Sequence, residues 1–535
     1  MVVRNQTGPS PQGSTSRPRR GYATLEKMAE PAGVITALVI GATVLAHMAT
    51  SARAWILFSD GDSVLPLLVG ASLRVGQPQD WILTSPLFLV EAPLYLPLVA
   101  LNLPSRAAMV LFGVVTWVAF YLVIRAVASM LPLAKTARVA ASVATVAVVG
   151  ALALCESSAD RNSLELASLL STTTYYSGTV IATIAAVAIV ARSLVHPERS
   201  RNWLTFTMLT VVTAVAVLSN PLFAAWAVAP LVVSLAISVF AGTSLRHLLV
   251  VSSALAGGIV VGMLARIPFG SILVQDSMSK VQPWRASESA SYYFGLLRER
   301  LSATSGWVEL ALVSVMLVIA VITAFAAVRQ RWAAGAVIAT FAMSSPVIVI
   351  VGAVACGTFA SRYLEPVALF PSLALIPATN LLAPYFRRFA ADERVLLGRV
   401  AGVGTSIVVL IVACVAGVQL ARVIPLEDQS LACVSRWIDL SGKTGAGQYW
   451  TVRAPKASLE DPRQLIQTDT YLNGYSWLTN DDDFSRTEVT FTIAEGASLP
   501  FVIPGDIEPT STITCGRYTI NDYSPTTLLI GTPHH

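Results

Sequence analysis

The sequence predicts an α-helical polytopic membrane protein with about 11 transmembrane helices and a small β-rich (α+β) extracytoplasmic C-terminal domain. Three observations predict this class. The 535-residue chain is 54% hydrophobic and only 13% charged, whereas a soluble domain has about 25% charged residues. Its mean hydropathy is +0.66, with apolar runs close to the roughly 20 residues that span a bilayer. Residues 424–535 instead alternate short apolar stretches with Gly, Pro, Asn and Asp, as strands joined by turns do.

The N-terminal segment 1–30 is rich in Ser, Pro, Gly, Thr and Arg. This composition predicts a disordered tail, and the segment lacks the compact apolar stretch of a secretory signal. Arg17, Arg19, Arg20 and Lys27 precede the first apolar run, so the positive-inside rule places the N-terminus in the cytoplasm.

The membrane domain, 31–423, holds eleven apolar runs that could each form a span. Because the first enters from the cytoplasm, the last must leave on the outer side. Every short loop that this count assigns to the cytoplasm is basic or contains Arg, as the positive-inside rule requires. The sequence therefore predicts a multi-pass protein of the plasma (inner) membrane. The runs are 33–50, 107–129, 139–155, 177–195, 203–219, 222–241, 248–265, 307–328, 333–354, 364–383 and 399–421.

The segment 86–103 is apolar but carries Glu91, Pro93 and Pro97. Counting it as a span would place the later basic loops outside. We therefore expect a re-entrant or interface-lying helix within a long outer loop, 51–106.

The C-terminal region 424–535 has 7 basic and 14 acidic residues, whereas 1–423 has 29 and 17. The basic excess thus belongs to the membrane domain, so the pI of about 9.0 indicates cytoplasmic loops and not nucleic-acid binding. Cys433 and Cys515 flank the acidic region. A disulfide between them fits an extracytoplasmic location, and two unpaired thiols are the alternative.

Motifs of soluble enzymes do not occur: the sequence has no Walker A, HExxH, GxSxG or CxxC pattern. This disfavours an ATP-driven transporter and a zinc hydrolase. The stretch "SDGDSV" matches the Asp-x-Asp pattern that binds a metal with a nucleotide sugar, but nucleotide sugars are cytoplasmic and this stretch is predicted to lie outside.

Polar residues gather instead at the outer membrane edge. Asp60 and Asp62 follow the first span, and Glu91 lies in the same loop; Tyr175, Tyr176, Asn220, Arg362 and Tyr363 adjoin later spans. Ionisable groups at membrane depth are costly and therefore indicate function, and Arg362 is the natural partner of either aspartate. Helix capping, interfacial anchoring by Arg and Tyr and an Asn-Pro turn are the structural alternatives.

The layout resembles the GT-C superfamily, whose members are polytopic glycosyltransferases that use lipid-phosphate-linked sugars. The similarity extends over nearly the whole chain in architecture. In motif it is confined to Asp60 and Asp62 in the first outer loop and to Arg362 with Tyr363 in "SRYLEPVALFP".

The resemblance implies transfer of a sugar from a polyprenyl-phosphate-linked donor to a glycan or protein acceptor outside the cytoplasm. It implies an aspartate as general base, with Asp60, nearest the first span, preferred over Asp62, which fits an N-cap. Arg362 would bind the phosphate, with Arg74 or Arg285, while Glu91 and Tyr363 would position groups. Tyr175, Tyr176 and Asn220 complete the candidate binding residues. The resemblance fixes no cofactor, and a divalent metal stays open. A non-enzymatic scaffold and a lipid or glycan transporter are the alternatives.

Overall fold

The computed structural model describes residues 20–101, 103–195, 199–274, 281–381, 394–496, 498–505 and 507–534. Helices dominate up to residue 423, and a mixed sheet follows. The helices are α1 (Arg20–Thr50), α2 (Ala54–Phe58), α3 (Leu65–Arg74), α4 (Ala92–Ala100), α5 (Ser105–Ser129), α6 (Lys135–Leu154), α7 (Ser177–Val195), α8 (Arg199–Ser219), α9 (Ala224–Ala241), α10 (Leu245–Ala265), α11 (Ala286–Leu301), α12 (Thr304–Arg329), α13 (Ala333–Ala355), α14 (Ser361–Leu381), α15 (Arg394–Val423), α16 (Gln429–Ser441) and α17 (Tyr449–Ser458).

The predicted fold class, an α-helical polytopic membrane protein, is confirmed. Ten helices of the described residues are long and apolar enough to cross a bilayer, and a shorter apolar stretch, Trp203–Ser219, lies in α8. Together they coincide with the described parts of the eleven predicted runs; the last two residues of the run 364–383 lie outside the described part of the chain. The doubtful segment 86–103 contains only α4, whose 9 residues cover about 14 Å at 1.5 Å per residue, far less than a bilayer core.

Close helix contacts hold the first spans together. A Cβ added to Gly41 of α1 would lie 2.7 Å from Trp117 of α5, and one added to Gly150 of α6 would lie 2.6 Å from Ile40. Such glycines let spans approach closely where lipid gives no hydrophobic driving force. The indole of Trp117 is fully buried and donates to Ser171 Oγ at 3.0 Å.

The predicted disordered tail 1–30 is too long at its C-terminal end. Helix α1 already begins at Arg20, because the stretch "ATLEKMAE" consists mainly of strong helix formers. Residues 1–19 lie outside the described part of the chain.

The C-terminal domain is built on a seven-stranded sheet. Its strands, in spatial order, are β11 (Gly531–His534), β4 (Asn473–Tyr475), β3 (Leu465–Thr468), β2 (Gly445–Gln448), β7 (Phe491–Glu495), β9 (Tyr518–Asp522) and β8 (Ser511–Cys515). The central strand β2 runs parallel to β3 and β7. Helix α16 packs against β8 and β9, and α17 packs against β2, β3 and β7. A disulfide joins Cys433 of α16 to Cys515 of β8. The β-rich character predicted from "RTEVTFTIAEG" and "TSTITCGRYTI" is confirmed. The shorter strands are β1 (Trp81–Ile82), β5 (Thr479–Asn480), β6 (Glu488–Val489) and β10 (Leu528–Leu529).

The C-terminal domain is hydrogen-bonded to the loop that follows α1. Strand β1 of this loop pairs antiparallel with β5, and Trp81 lies opposite Asn480. Gln77 Nε2 donates to Asp483 Oδ1 at 2.9 Å, and the buried Arg453 donates through Nε to the Gly61 carbonyl at 2.6 Å. The domain therefore covers one end of the helix bundle, which we call the outer face after the predicted topology.

Candidate functional site

A cavity of about 660 Å³ lies between the outer face of the helix bundle and the C-terminal domain. We call it the outer cavity. Its polar lining includes Asp62, Asn220, Arg266 and Arg362, and its apolar lining comes mainly from α9, α10 and α13. Its aromatic lining is Phe88, Tyr176, Trp226, Tyr363, Tyr449, Trp450, Tyr475 and Trp477.

Asp62 faces this cavity and is paired with Arg362. Its Oδ2 lies 3.4 Å from Arg362 Nη1, and its Oδ1 accepts a hydrogen bond of 2.5 Å from the Tyr449 hydroxyl. The side chain of Asp62 is 14% exposed and that of Arg362 is 28% exposed. The aspartate and the arginine, 300 residues apart, thus meet at the outer edge of the membrane domain.

Asp60 points the other way, which corrects the expectation that it would face the cavity. It is fully buried. Its Oδ2 accepts hydrogen bonds from the Tyr175 hydroxyl at 2.9 Å and from the Ser63 N–H at 3.2 Å. Burial, followed by the charge of Asp62, raises the pKa of Asp60 to about 6. Asp62 does not cap the following helix, because α3 begins after Val64 without a side-chain cap hydrogen bond, and the backbone N–H that donates to Asp60, that of Ser63, lies within the preceding turn.

The reversal follows from the backbone after α2. Val64 N–H donates to the Asp60 carbonyl, and Leu65 N–H donates to the Asp62 carbonyl, so the chain here turns as a helix does. Two residues correspond to about 200° of helical rotation. The two aspartates must therefore point to opposite sides, and only one can reach the cavity.

Tyr175 and Tyr176, like the two aspartates, point in different directions. Tyr176 has a φ of 65°, a left-handed conformation that costs a non-glycine residue energy. With this turn the ring of Tyr175 reaches Asp60, while Tyr176 lines the outer cavity against Trp226 and Tyr363. Burial raises the pKa of both phenols, so each hydroxyl stays protonated.

Arg266, which the sequence reasoning missed, is a second cation of the outer cavity. Its guanidinium donates to the carbonyls of Leu218 and Ser85 at 2.6 Å each. No carboxylate of the described residues forms an ion pair with it. Its position directly after the span 248–265, on the predicted outer side, was the available signal. The cavity lining has a net positive charge, because it contains two arginines, Arg362 and Arg266, and one aspartate, Asp62.

Three of the predicted binding residues lie elsewhere. Arg74, at the exposed end of α3, borders a separate small pocket. Arg285 turns outward to Glu288 at 2.8 Å and stacks over Phe359. Glu91 is buried beneath the loop, where Gly178 N–H donates to its Oε1 at 3.1 Å and burial raises its pKa to about 7. None of the three lines the outer cavity.

Asn220 and Tyr363 do line the outer cavity. The Asn220 amide donates to Thr179 Oγ1 at 3.0 Å, and its oxygen accepts from Leu222 N–H at 3.1 Å. The amide thus stabilises the turn between α8 and α9. Asn220 therefore has a structural role in the turn and also lines the cavity.

The C-terminal domain closes the cavity with aromatic rings. Tyr475 and Trp477 stand parallel, with 4° between their planes and 6.5 Å between their centroids. Trp450 carries the guanidinium of Arg161 at 3.3 Å from its ring centroid. The segments "GAGQYWTVRAPK" and "GYSWLTNDDDF" supply these residues.

The described residues contain no group of three or more His, Cys, Asp and Glu side chains arranged to hold a metal ion. Asp62 is the acidic side chain among the described residues that line the outer cavity. A metal held there would therefore have to take most of its ligands from substrate and water.

No protein-family model matches the sequence, and no curated protein does. Among solved structures the chain is similar to the archaeal oligosaccharyltransferase AglB from Archaeoglobus fulgidus, solved in complex with an inhibitory peptide and a dolichol-phosphate. The match has a TM-score of 0.44 and 11% sequence identity, and it covers 87% of this chain and 70% of that chain. Likeness at this level carries no argument about activity.

Proposed function

We propose that the protein is a GT-C-type membrane glycosyltransferase. It transfers a sugar from a polyprenyl-phosphate-linked donor to an acceptor on the extracytoplasmic side. One observation carries the proposal: Asp62 and two guanidinium groups line one cavity that is apolar on its membrane side and aromatic on its soluble side. A base, an anion site and an amphiphilic cavity are the parts that such a reaction needs.

The donor's lipid chain would lie along the apolar lining. Met263 of α10 and Ile348, Val349 and Gly352 of α13 border the cavity. A Cβ added to Gly352 would meet no atom within 4 Å, so space remains beside this helix. The donor phosphate would then lie near Arg362 and Arg266, since guanidinium groups bind phosphate oxygens through charge-assisted hydrogen bonds.

The chemistry follows from these positions. The acceptor hydroxyl gives its proton to Asp62 as its oxygen forms a bond to the anomeric carbon. The bond between that carbon and the phosphate oxygen breaks, and its electron pair stays on the polyprenyl phosphate. The arginines stabilise this developing negative charge, and the protonated Asp62 later releases its proton to water.

The acceptor would bind against the C-terminal domain. Trp450, Tyr475 and Trp477 present aromatic surface to the cavity, and aromatic rings offer large apolar faces with polar edges. A sugar has an apolar C–H face and hydroxyl edges that match this surface. We therefore favour a glycan over a peptide as acceptor.

The test uses a photoactivatable polyprenyl-phosphate sugar analogue with the full-length protein in proteoliposomes. We expect crosslinks in α9, α10 or α13 that excess unlabelled donor prevents. Arg362→Met should weaken labelling about ten- to hundred-fold, because hydrogen bonds to a charged group contribute about 1.5–3 kcal/mol each. Arg74→Met is the matched control, since it makes the same substitution at an arginine that does not line the outer cavity, and should label normally. Equal loss in both variants, or labelling independent of Arg362, would contradict the proposal.

A further inference from the structure

The carboxylate that faces the outer cavity is held by a residue of the C-terminal domain. Tyr449, the first residue of α17, donates its hydroxyl proton to Asp62 Oδ1 over 2.5 Å. This distance is at the short end of the range for O–H···O⁻ bonds. The two residues are 387 positions apart in the sequence, so only the docked C-terminal domain brings them together.

Tyr449 is itself fixed in place. Its side chain is 6% exposed, and the guanidinium carbon of Arg453 lies 4.9 Å from its ring centroid. The same guanidinium donates to the carbonyls of Gly61 and Leu478. Arg453 therefore ties the tyrosine to the backbone of the very turn that carries the aspartate.

The turn is shaped to accept this ring. A Cβ added to Gly61 would lie 3.1 Å from Tyr449 Cε1 and 3.0 Å from Trp450 Cε3, closer than side chains ordinarily pack. Glycine between the two aspartates thus lets α17 approach the turn. The three residues of the Asp-Gly-Asp motif therefore have different roles: Asp60 is buried, Gly61 makes room for α17, and Asp62 faces the cavity.

We propose that Tyr449 is a positioning residue that pins Asp62 Oδ1 and leaves Oδ2 to take the acceptor proton. The inference rests on the proposed function and adds that the transfer site is complete only when the C-terminal domain is docked. Oδ2 lies on the side of Arg362, at 3.4 Å. Proton acceptance and leaving-phosphate stabilisation would then occur next to each other.

The phenol is suited to this role because it stays protonated. Burial, followed by the negative charge of Asp62, raises the pKa of Tyr449 well above its usual value. The hydroxyl is therefore a permanent donor, and it does not compete with Asp62 as a base.

The experiment measures steady-state transfer by the full-length protein in proteoliposomes, with Tyr449→Phe as the variant. Phenylalanine keeps the ring against Arg453 and removes only the hydroxyl. We expect kcat to fall about ten- to hundred-fold, the range for a hydrogen bond to a charged group, with KM for donor and acceptor within twofold. Tyr518→Phe is the matched control. It removes another buried tyrosine hydroxyl of the same domain, one that accepts from Arg517 and lies away from the cavity, and it should leave kcat unchanged.

A double variant distinguishes positioning from general stability. If Tyr449 acts through Asp62, then adding Tyr449→Phe to Asp62→Asn should cause no further loss of kcat. The thermal unfolding of Tyr449→Phe in detergent should stay close to that of the wild type. An unchanged kcat in Tyr449→Phe beside an inactive Asp62→Asn would overturn the inference and leave the proposed function standing. A fully active Asp62→Asn, or a wild type that transfers no sugar, would overturn both. A raised KM with unchanged kcat would make Tyr449 a binding residue and also overturn the inference.

Discussion

Replacing each aspartate of "SDGDSV" separately gives the sharpest test of the site. Asp62→Asn removes the cavity-facing carboxylate but keeps an oxygen that can accept from Tyr449. Asp60→Asn removes a carboxylate that is fully buried and turned away from the cavity. The two changes are chemically identical and lie two residues apart, so each is the control for the other.

The expected magnitudes differ by orders of magnitude. Loss of a general base lowers kcat by about 10²- to 10⁴-fold, and this applies to Asp62→Asn. In Asp60→Asn the new amide oxygen can keep the hydrogen bonds from Tyr175 and Ser63, because both now reach the same oxygen, Oδ2. The ion pair with Arg161 at 3.5 Å is lost. Neither Asp60 nor Arg161 is among the described residues that line the outer cavity, so activity should change less than about fivefold, which corresponds to about 1 kcal/mol in the barrier.

The assay is the initial rate of sugar transfer in proteoliposomes containing equal amounts of each protein. Thermal unfolding in detergent checks that both variants are folded. An inactive Asp60→Asn beside an active Asp62→Asn would refute the orientation argument. Full activity in both variants would eliminate an aspartate base from the mechanism.

Three further predictions concern charge, covalent structure and access. Because the pKa of Asp60 is raised from 3.8 to about 6, the folded state holds this proton more tightly; the stabilisation is present at low pH and is lost as pH rises from about 4 to about 6. The stability of Asp60→Asn relative to the wild type should therefore increase by up to roughly 3 kcal/mol as pH rises through that window, and should stay constant at higher pH. The measurement is the difference in melting temperature between the two proteins at each pH, and a difference that does not vary with pH would contradict the prediction. Replacing Cys433 and Cys515 by Ser opens a crosslink of sequence separation 82 and should cost the C-terminal domain about 4–5 kcal/mol, seen as faster proteolysis of that domain, and unchanged proteolysis would count against it. A membrane-impermeant thiol reagent applied from the outer side should inhibit transfer through Cys356, which lines the cavity, and Cys356→Ser should resist; inhibition that persists in this variant would place the reactive thiol elsewhere.

Most of the fold could be predicted because membrane spans are set by local composition. Each of the eleven apolar runs coincides with a helix, and the prolines and Glu91 correctly marked 86–103 as too broken to cross. The strands of "RTEVTFTIAEG" and "TSTITCGRYTI" were likewise visible in their alternation. These features depend on residues that are close together in the sequence, so local composition and alternation are enough to predict them.

The site could be predicted only in part, since its geometry depends on contacts between distant segments. The outer-face topology placed Asp62 and Arg362 on the same side. It could not tell which aspartate faces inward, because that depends on the turn formed after α2. Tyr449 and Trp450 were unpredictable as cavity residues, since their role exists only through docking of a domain almost 400 residues away in sequence.

The pairing of β1 with β5 has a consequence for how the chain can be divided. The covalent connection between the bundle and the C-terminal domain runs only from Val423 to Gln429, whereas the two parts also share a backbone ladder, the Arg453 hydrogen bonds and the contact of Gln77 with Asp483. A nick in that connection would leave both parts attached. The protein should therefore tolerate being produced as two fragments that reassemble on the membrane, and an exchange of the outer domain would succeed only if residues 60–82 were exchanged with it.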